Sequence, residues 1–275
     1  MKVREEHLVP RSGDSSVCED ALTVTGDFAC VIDGTTTKSA LQWDGKKSGR
    51  VAAELLSKAV AALPSKITAL DAATELTAVI ARFYDKHNMR ERAARAAVDR
   101  ITATMALYSR HRREVWMIGD CQCLIGRQHN VTKMTVEEIA ANARALYLEL
   151  ELQNGKTREE LMERDTGREF IQPLLVRQHT FQNADPGSPY FYSAFDGFHI
   201  PKEGVRVIKV PFGITEIVLA TDGYPHLRPT LRESEKFLQH VLSTDPLCMN
   251  LHRATKGLQK GSLSYDDRAY LRVGI

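Results

Sequence analysis

Acidic residues stand at the ends of several apolar runs, and this pattern limits what the chain can fold into. A nearly continuous apolar run, such as residues 28–32 or 217–220, is typical of a central strand that is buried on both faces. A carboxylate that leaves such a strand is costly to desolvate unless it is paired or bound to a metal ion. The acidic clusters that follow the runs are Asp33-Gly34, Gly119-Asp120, Asp222-Gly223 and Asp266-Asp267, and Glu19-Asp20 precedes them all.

Carboxylates at the ends of buried strands can converge on one point. Their oxygens suit hard divalent cations such as Mg²⁺ and Mn²⁺. The sequence therefore predicts a polynuclear metal site built from strand ends, with hydrolysis of a phosphate ester as its use. A single Asp-Gly pair is weak by itself because it is a common turn dipeptide, and we interpret Asp196-Gly197 as a plain hairpin turn.

Composition limits the class of protein. The 275 residues are 43% hydrophobic and 26% charged, values typical of a soluble globular protein, and the net charge of +2 gives no strong electrostatic case for binding nucleic acid or a membrane. The sequence has no apolar stretch of signal-peptide type and none of membrane-spanning length. Five cysteines are an odd count, which agrees with a reducing compartment. We therefore expect a cytoplasmic protein, in which Cys121 and Cys123 are buried small side chains.

The predicted strands come in adjacent pairs, with the helices grouped between them. This order favours sheets covered by helices over a parallel βαβ arrangement, and a single domain over residues 1–275 is the simpler account. Residues 136–176 have a helical, strongly charged pattern, and we expect them to form a helical insertion. Strands are predicted at 21–33 (as a hairpin), 103–109, 115–119, 121–127, 191–194, 205–210, 216–221 and 268–273, and helices at 45–63, 70–87, 230–243 and 247–255.

The acidic clusters, taken in order, resemble the metal-dependent protein Ser/Thr phosphatases of type 2C. The resemblance extends from Glu19 to Val273, and residues 136–176 occupy the region that varies among family members. The size of the chain and the lack of a membrane-spanning stretch favour a stand-alone, bacterial-like member of the family. The resemblance implies an α+β fold, a four-layer α-β-β-α sandwich in which helices flank two antiparallel sheets. The matching segments are Glu19-Asp20-Ala21, Val31-Ile32-Asp33-Gly34, Gly49-Arg50-Val51-Ala52-Ala53, Ala103-Thr104-Met105-Ala106, Ile118-Gly119-Asp120, Leu219-Ala220-Thr221-Asp222-Gly223 and the closing strand from Asp266 to Val273.

The resemblance also implies roles for the matching residues. Two Mn²⁺ or Mg²⁺ ions are expected, bridged by Asp33, with a weaker third ion at Asp120 and Asp222. Asp20, Asp33 and Asp222 are the implied catalytic residues, and Asp20 is to hold the attacking water. Asp267 and Thr35 are implied to be supporting residues. The implied metal ligands are Glu19, Asp33, the Gly34 carbonyl, Asp120, Asp222 and Asp266.

The implied substrate is a phosphoprotein carrying phosphoserine or phosphothreonine, such as the target of a Ser/Thr kinase. Three departures from the family pattern leave two alternatives open. Ser15 stands where well-studied members carry an Arg that grips phosphate, Thr35 stands where many carry a His, and the usual Ser-Arg-Ala-Leu-Gly segment is absent. The alternatives are a non-catalytic phosphatase-like module that binds a phosphoprotein or a partner, and a phosphatase for a small metabolite.

Two further features lie near the expected site. The segment Thr35-Thr36-Thr37-Lys38 could bind phosphate through its hydroxyls and the Lys38 ammonium, or it could be a solvated loop. His226, four residues beyond Asp222, is the only histidine near the acidic clusters in the sequence.

Overall fold

A computed structural model describes residues 1–36, 38–39, 41–43 and 45–275. Thr37 of the predicted Thr35–Lys38 segment therefore lies outside the described residues. The strands are β1 (Lys2–Val9), β2 (Ala21–Val24), β3 (Phe28–Gly34), β4 (Ala103–Ser109), β5 (Glu114–Ile118), β6 (Gln122–Ile125), β7 (Gln128–Val131), β8 (Arg206–Lys209), β9 (Glu216–Ala220) and β10 (Arg268–Gly274). The α-helices are α1 (Ser48–Val60), α2 (Ala69–Lys86), α3 (Arg90–Arg95), α4 (Thr135–Gln153), α5 (Arg158–Glu163), α6 (Thr166–Arg177) and α7 (Leu231–Thr244).

The strands form two five-stranded antiparallel sheets that pack face to face. One sheet has the order β1-β10-β9-β6-β7, and the other has the order β2-β3-β4-β5-β8. Val31 and Ala106 from the second sheet share one buried cluster with Cys123, Leu219 and Leu271 from the first. Together with the flanking helices, this arrangement confirms the expected α+β sandwich.

The alternation of side chains along β3 shows how one strand serves two layers. Ala29 and Val31 face the other sheet, whereas Phe28, Cys30 and Ile32 belong to the cluster that packs beneath α1 and α2. The helices supply residues such as Leu56 and Ile80 to that cluster. The nearly continuous apolar run of β3 is therefore the consequence of burial on both faces. Within the described ranges, no helix has both the length and the apolar character needed to cross a membrane.

The predicted helix at 247–255 is wrong, because a side chain captures the backbone groups that a helix would use. The Asp245 carboxylate accepts the backbone N–H groups of Met249, Asn250 and Leu251 at 2.7–3.1 Å. Cys248 has a φ of 49°, which interrupts any right-handed helix. Aspartate competes with helical hydrogen bonding in this way. The segment is consequently a loop of turns after α7.

The predicted strand at 191–194 is also wrong. Tyr192 forms only an isolated bridge with Gln182. The Asn183 side chain donates to the carbonyl of Ala194 and accepts from its N–H, and so takes the hydrogen bonds that a neighbouring strand would make. Asp196-Gly197 is then not a plain hairpin turn. Its Asp196 side chain is fully buried and accepts hydrogen bonds from Arg100 and Gln182 at 2.8 and 2.7 Å.

Three elements have no counterpart among the sequence predictions: β1, α3 and β7. β1 carries the charged residues Lys2, Arg4, Glu5 and Glu6 at the edge of its sheet and is stabilised by pairing with β10. Its polar sequence does not have the apolar alternation that marks a half-buried strand. Pairing partners that lie far along the chain, rather than local pattern, create this strand.

We expect Asp196→Asn to lower the free energy of unfolding by about 3–5 kcal/mol, because it leaves the largely buried Arg100 without its anionic partner. Urea denaturation followed by circular dichroism measures the change. Asp85→Asn is the matched control, since Asp85 is 61% exposed and lies 3.9 Å from Arg90. That variant should cost less than about 1 kcal/mol. Equal effects of the two substitutions would contradict a structural role for the buried pair.

Candidate functional site

Four acidic side chains from the two sheets line a single cavity of about 510 Å³. Asp33 lies near the end of β3, and Asp120 follows β5 across one glycine. Asp222 follows β9, and Asp266 precedes β10. β9 and β10 are adjacent strands of the same sheet. The face-to-face packing of the sheets therefore brings these predicted metal ligands to one edge of the sandwich. The predicted supporting residue Thr35 lines the same cavity.

The remaining predicted residues do not line the cavity, but hydrogen bonds join them to the strands that carry its acids. Glu19 and Asp20 are buried just before β2, and Gly34 N–H donates to the Glu19 carbonyl at 3.1 Å. Asp267 accepts the backbone N–H groups of Arg11 and Glu19, both at 2.8 Å. Asp267 thereby ties the segment that carries Glu19 to the start of β10.

Close backbone contact explains the glycine beside Asp33. A Cβ on Gly34 would lie 2.5 Å from the Gly49 carbonyl carbon and would also overlap the Glu19 carbonyl oxygen. A Cβ on Gly49 would in turn lie 2.7 Å from Glu19 Oε1. Glu19 Oε1 is buried and has no hydrogen-bond partner among the residues that the structure describes. The absence of a side chain at Gly49 therefore leaves room for this oxygen.

Two threonine hydroxyls hold acids of the cluster. Thr221 Oγ1 donates to Asp20 Oδ2 at 2.7 Å, and Thr104 Oγ1 donates to Asp120 Oδ1 at 2.8 Å. Gly119 has a φ of 86°, and a side chain there would collide with Thr104. The glycine therefore lets Asp120 turn back toward β4.

The acids repel one another in a buried environment. Burial raises the pKa of Asp33 well above its usual value, and the charges of Asp222, Asp20 and Asp120 raise it further. Burial, with the charges of Asp266 and Asp120, raises the pKa of Asp222 to about 7. The pKa values of Asp20 and Asp120 are raised as well, chiefly by burial. Added positive charge would relieve this repulsion.

Basic side chains line the same cavity. The Lys256 ammonium pairs with Asp266 Oδ2 and lies 3.5 Å from Thr36 Oγ1. Burial and repulsion from Arg168 lower the pKa of Lys38 to about 8, while Glu137 acts in the opposite direction. Sequence reasoning identified Lys38 as a possible phosphate contact but missed Arg168 and Lys256. Neither belongs to a local motif, and only the tertiary fold brings them to the acids.

The helical span, residues 135–177 from α4 to α6, holds the loop that carries Lys256. Arg144 of α4 is fully buried, and its Nη1 donates to the carbonyls of Leu247 and Ala254 at 2.8 and 3.1 Å. Arg168 of α6 donates to the carbonyl and the hydroxyl of Thr255, both at 2.8 Å. The two arginines thus fix the backbone next to Lys256.

Histidines also line the cavity. His226 is there, as its position in the sequence suggested, and its ring meets that of His129 edge-on with centroids 4.8 Å apart. His179 Nδ1 lies 3.2 Å from Gln182 Oε1, an atom that can only accept, so we assign the proton to Nδ1. Burial, together with the charge of Lys38, lowers the pKa of His179 to about 4. His179 is therefore neutral at physiological pH.

Comparison with known proteins identifies the fold. No protein-family model and no curated protein matches the sequence. A solved bacterial serine phosphatase is similar over 100% of this chain and 98% of its own, with 12% identity and a TM-score of 0.50. The chain has the fold of a bacterial serine phosphatase. This likeness confirms the type 2C resemblance at the level of the fold.

Two other similar structures have slightly lower scores. The serine/threonine phosphatase Stp1 from Staphylococcus aureus has 12% identity over 100% of this chain and 96% of its own, with a TM-score of 0.49. The catalytic domain of the serine/threonine protein phosphatase PstP, solved in complex with two manganese ions, has 13% identity over 98% of this chain and 96% of its own, with a TM-score of 0.49.

The donor set of the cluster suits a divalent cation. All its candidate ligands are oxygens, and the buried, unpartnered Glu19 Oε1 is an atom that a cation would satisfy. The described part of the chain contains no group of three acidic, histidine or cysteine side chains already arranged to hold a metal. Asp20, Asp120 and Asp266 are bonded instead to Thr221, Thr104 and Lys256. Each of these contacts engages one oxygen of a carboxylate.

We expect Gly34→Ala to destabilise the protein by about 1–3 kcal/mol, because the added methyl group meets rigid backbone rather than a movable side chain. Urea denaturation measures the loss. Gly26→Ala is the control, since a Cβ there has nothing within 4 Å, and it should change stability by less than about 0.5 kcal/mol. Normal stability of Gly34→Ala would contradict the close approach of β3 to Gly49.

Proposed function

We propose that this chain is a Mg²⁺- or Mn²⁺-dependent phosphatase that hydrolyses phosphoserine and phosphothreonine in proteins. The observation that carries the proposal is one cavity in which strand-end carboxylates face basic side chains. Asp33, Asp120, Asp222 and Asp266 provide the negative wall. Lys38 and Arg168 line the same cavity, and their positive charges suit the anionic phosphoryl group of a substrate.

Two divalent cations would be held by the oxygens of the acidic cluster, with a third, weaker position at Asp120 and Asp222. When bound, such ions lower the pKa of water and neutralise charge that develops on phosphoryl oxygens. The raised pKa values of Asp33 and Asp222 support this use, because burial and the charges of neighbouring acids both disfavour the ionised carboxylates, and bound cations would offset that penalty. The proposed ligands are Glu19, Asp33, the Gly34 carbonyl, Asp120, Asp222 and Asp266.

Lys38 and Arg168 are the proposed partners of the substrate phosphate. They would replace the arginine that family members carry at the position of Ser15. Here the Ser15 carbonyl instead accepts from Arg50 Nη1 at 2.9 Å, which holds the loop before Glu19. Asp20, fixed by the Thr221 hydroxyl, would orient the attacking water. His179 is neutral at physiological pH, so it is unsuited to donate a proton to the leaving oxygen.

One observation favours a second candidate, the non-catalytic phosphate-binding module. The Lys256 ammonium forms an ion pair with Asp266, one of the proposed metal ligands. The protein itself thus supplies a positive charge where a metal ion would bind. A chain that relied on this pairing instead of metals could still bind a phosphorylated partner at Lys38 and Arg168. Metal-dependent turnover separates the two candidates.

We expect the purified protein to hydrolyse p-nitrophenyl phosphate and a phosphothreonine peptide with Mn²⁺ or Mg²⁺, and to lose both activities in EDTA. Asp33→Ala and Asp222→Asn should abolish turnover, and Asp222→Asn should not lower stability because it relieves repulsion between acids. Asp85→Asn, an exposed site, is the control for removing a negative charge.

Each contrary result has a definite meaning. Near-normal turnover by Asp222→Asn would overturn the assignment of the metal ligands. Hydrolysis of the aryl phosphate without hydrolysis of phosphopeptides would favour a small-metabolite phosphatase. Folded protein that is inactive with every metal would favour the non-catalytic module.

We expect Lys38→Met to raise KM for the aryl phosphate roughly 10- to 100-fold, because a hydrogen bond to a charged group contributes about 1.5–3 kcal/mol. Lys133→Met is the matched control: Lys133 lines the same cavity, but its side chain is 75% exposed and pairs with Glu138 at 3.5 Å. The two variants differ in whether a partly buried cation is lost. Equal effects on KM would show that only the overall charge of the cavity matters.

A further inference from the structure

Lys256 places an ammonium group inside the acidic cluster. It pairs with Asp266 Oδ2, and the two side chains are only 19% and 13% exposed. Asp266 Oδ1 accepts the backbone N–H of Asp267 at 2.9 Å. Both oxygens of this carboxylate therefore already have a donor from the protein.

We propose that Lys256 is a resident cation of the acidic site and competes with a divalent cation for Asp266. The ammonium must leave Asp266 Oδ2 when a metal ion binds there. This inference rests on the proposed function only in taking Asp266 as a metal ligand. It makes Lys256 a determinant of metal affinity that no acidic motif reveals.

The backbone next to Lys256 is fixed, so the competition involves the side chain alone. Arg168 bonds the carbonyl and the hydroxyl of Thr255, the preceding residue. On the other side, a Cβ at Gly257 would lie 2.7 Å from the Leu247 carbonyl oxygen and 2.9 Å from Arg144 Nη2, which shows how tightly the loop is packed. A lysine carries its charge on a flexible four-carbon stem, and rotation of that stem can withdraw the ammonium without moving the loop.

The charges around Lys256 determine whether its ammonium group stays paired with Asp266 or is withdrawn from it. Asp266 and Asp222 attract the ammonium, whereas Arg168 repels it. A divalent cation brings twice the charge of the lysine to the same acids, so it can take the place of the ammonium. Lys256 therefore stabilises the protein without metal and weakens the binding of metal.

Calorimetric titration of EDTA-stripped protein with MnCl₂ tests the proposal. We expect Lys256→Met to bind Mn²⁺ at least about tenfold more tightly than the wild type, a difference of ~1.4 kcal/mol. In EDTA the variant should melt at a lower temperature than the wild type, and Mn²⁺ should raise its melting temperature by more. Lys133→Met is the control, because it removes a cavity lysine that pairs with Glu138 instead of Asp266, and it should leave the Mn²⁺ affinity within about threefold, ~0.7 kcal/mol.

If Lys256→Met does not fold, a measurement on the wild type tests the same proposal. Lysine acetylation by a water-soluble reagent, followed by mass spectrometry, reports how available each ammonium is. We expect labelling of Lys256 to rise several-fold when Mn²⁺ is added, while labelling of Lys133 stays constant. Labelling of Lys256 that does not change in saturating Mn²⁺ would overturn the proposal.

The outcomes separate this inference from the proposed function. Mn²⁺ affinity that is unchanged or weaker in Lys256→Met overturns the inference, even if the wild type is an active phosphatase. Tighter Mn²⁺ binding by the variant supports it, even if no phosphate ester is hydrolysed. Failure of both proteins to bind Mn²⁺ overturns it together with the metal requirement of the proposed function.

Discussion

Repulsion among buried and half-buried carboxylates is the constraint around which the rest of this structure is arranged. Asp20, Asp33, Asp120 and Asp222 each lie where burial and a neighbouring acid raise the pKa. A sandwich of two apolar sheets supplies the stability that tolerates such a site, since both faces of its central strands are buried. Hydroxyl donors and the Lys256 ammonium then offset part of the remaining charge.

The order of apolar and polar residues correctly predicted those strands and helices whose position depends on which of their faces are buried. The apolar run of β3 and the three- and four-residue spacing of α1 and α2 depend on which faces are buried, and periodicity reports that directly. The errors have a different origin. The loop at 247–255 is set by Asp245, which captures several backbone N–H groups, and β1 exists because β10 pairs with it. Contacts between distant residues decide both, and a window of sequence does not contain them.

The candidate site divides in the same way. Its acids were found because each stands at a strand end, where a carboxylate after an apolar run is conspicuous in the sequence. Its cations were mostly missed, because Arg168 lies in a charged helix and Lys256 in a loop, among many similar residues. Asp196 shows the converse case: it resembles a turn residue in the sequence, yet the structure buries it against Arg100.

The two halves of the site therefore come from parts of the chain with different character. The sheets, which share the fold of a bacterial serine phosphatase, provide the acids. The helical span and the loop that it holds provide Arg168 and Lys256, through the bonds of Arg144 and Arg168 to residues 247–255. A change in α4 or α6 can consequently shift the position of the Lys256 ammonium without altering any acid. Part of the positive charge at the strand ends thus comes from a region of the chain that contributes nothing to the sheets.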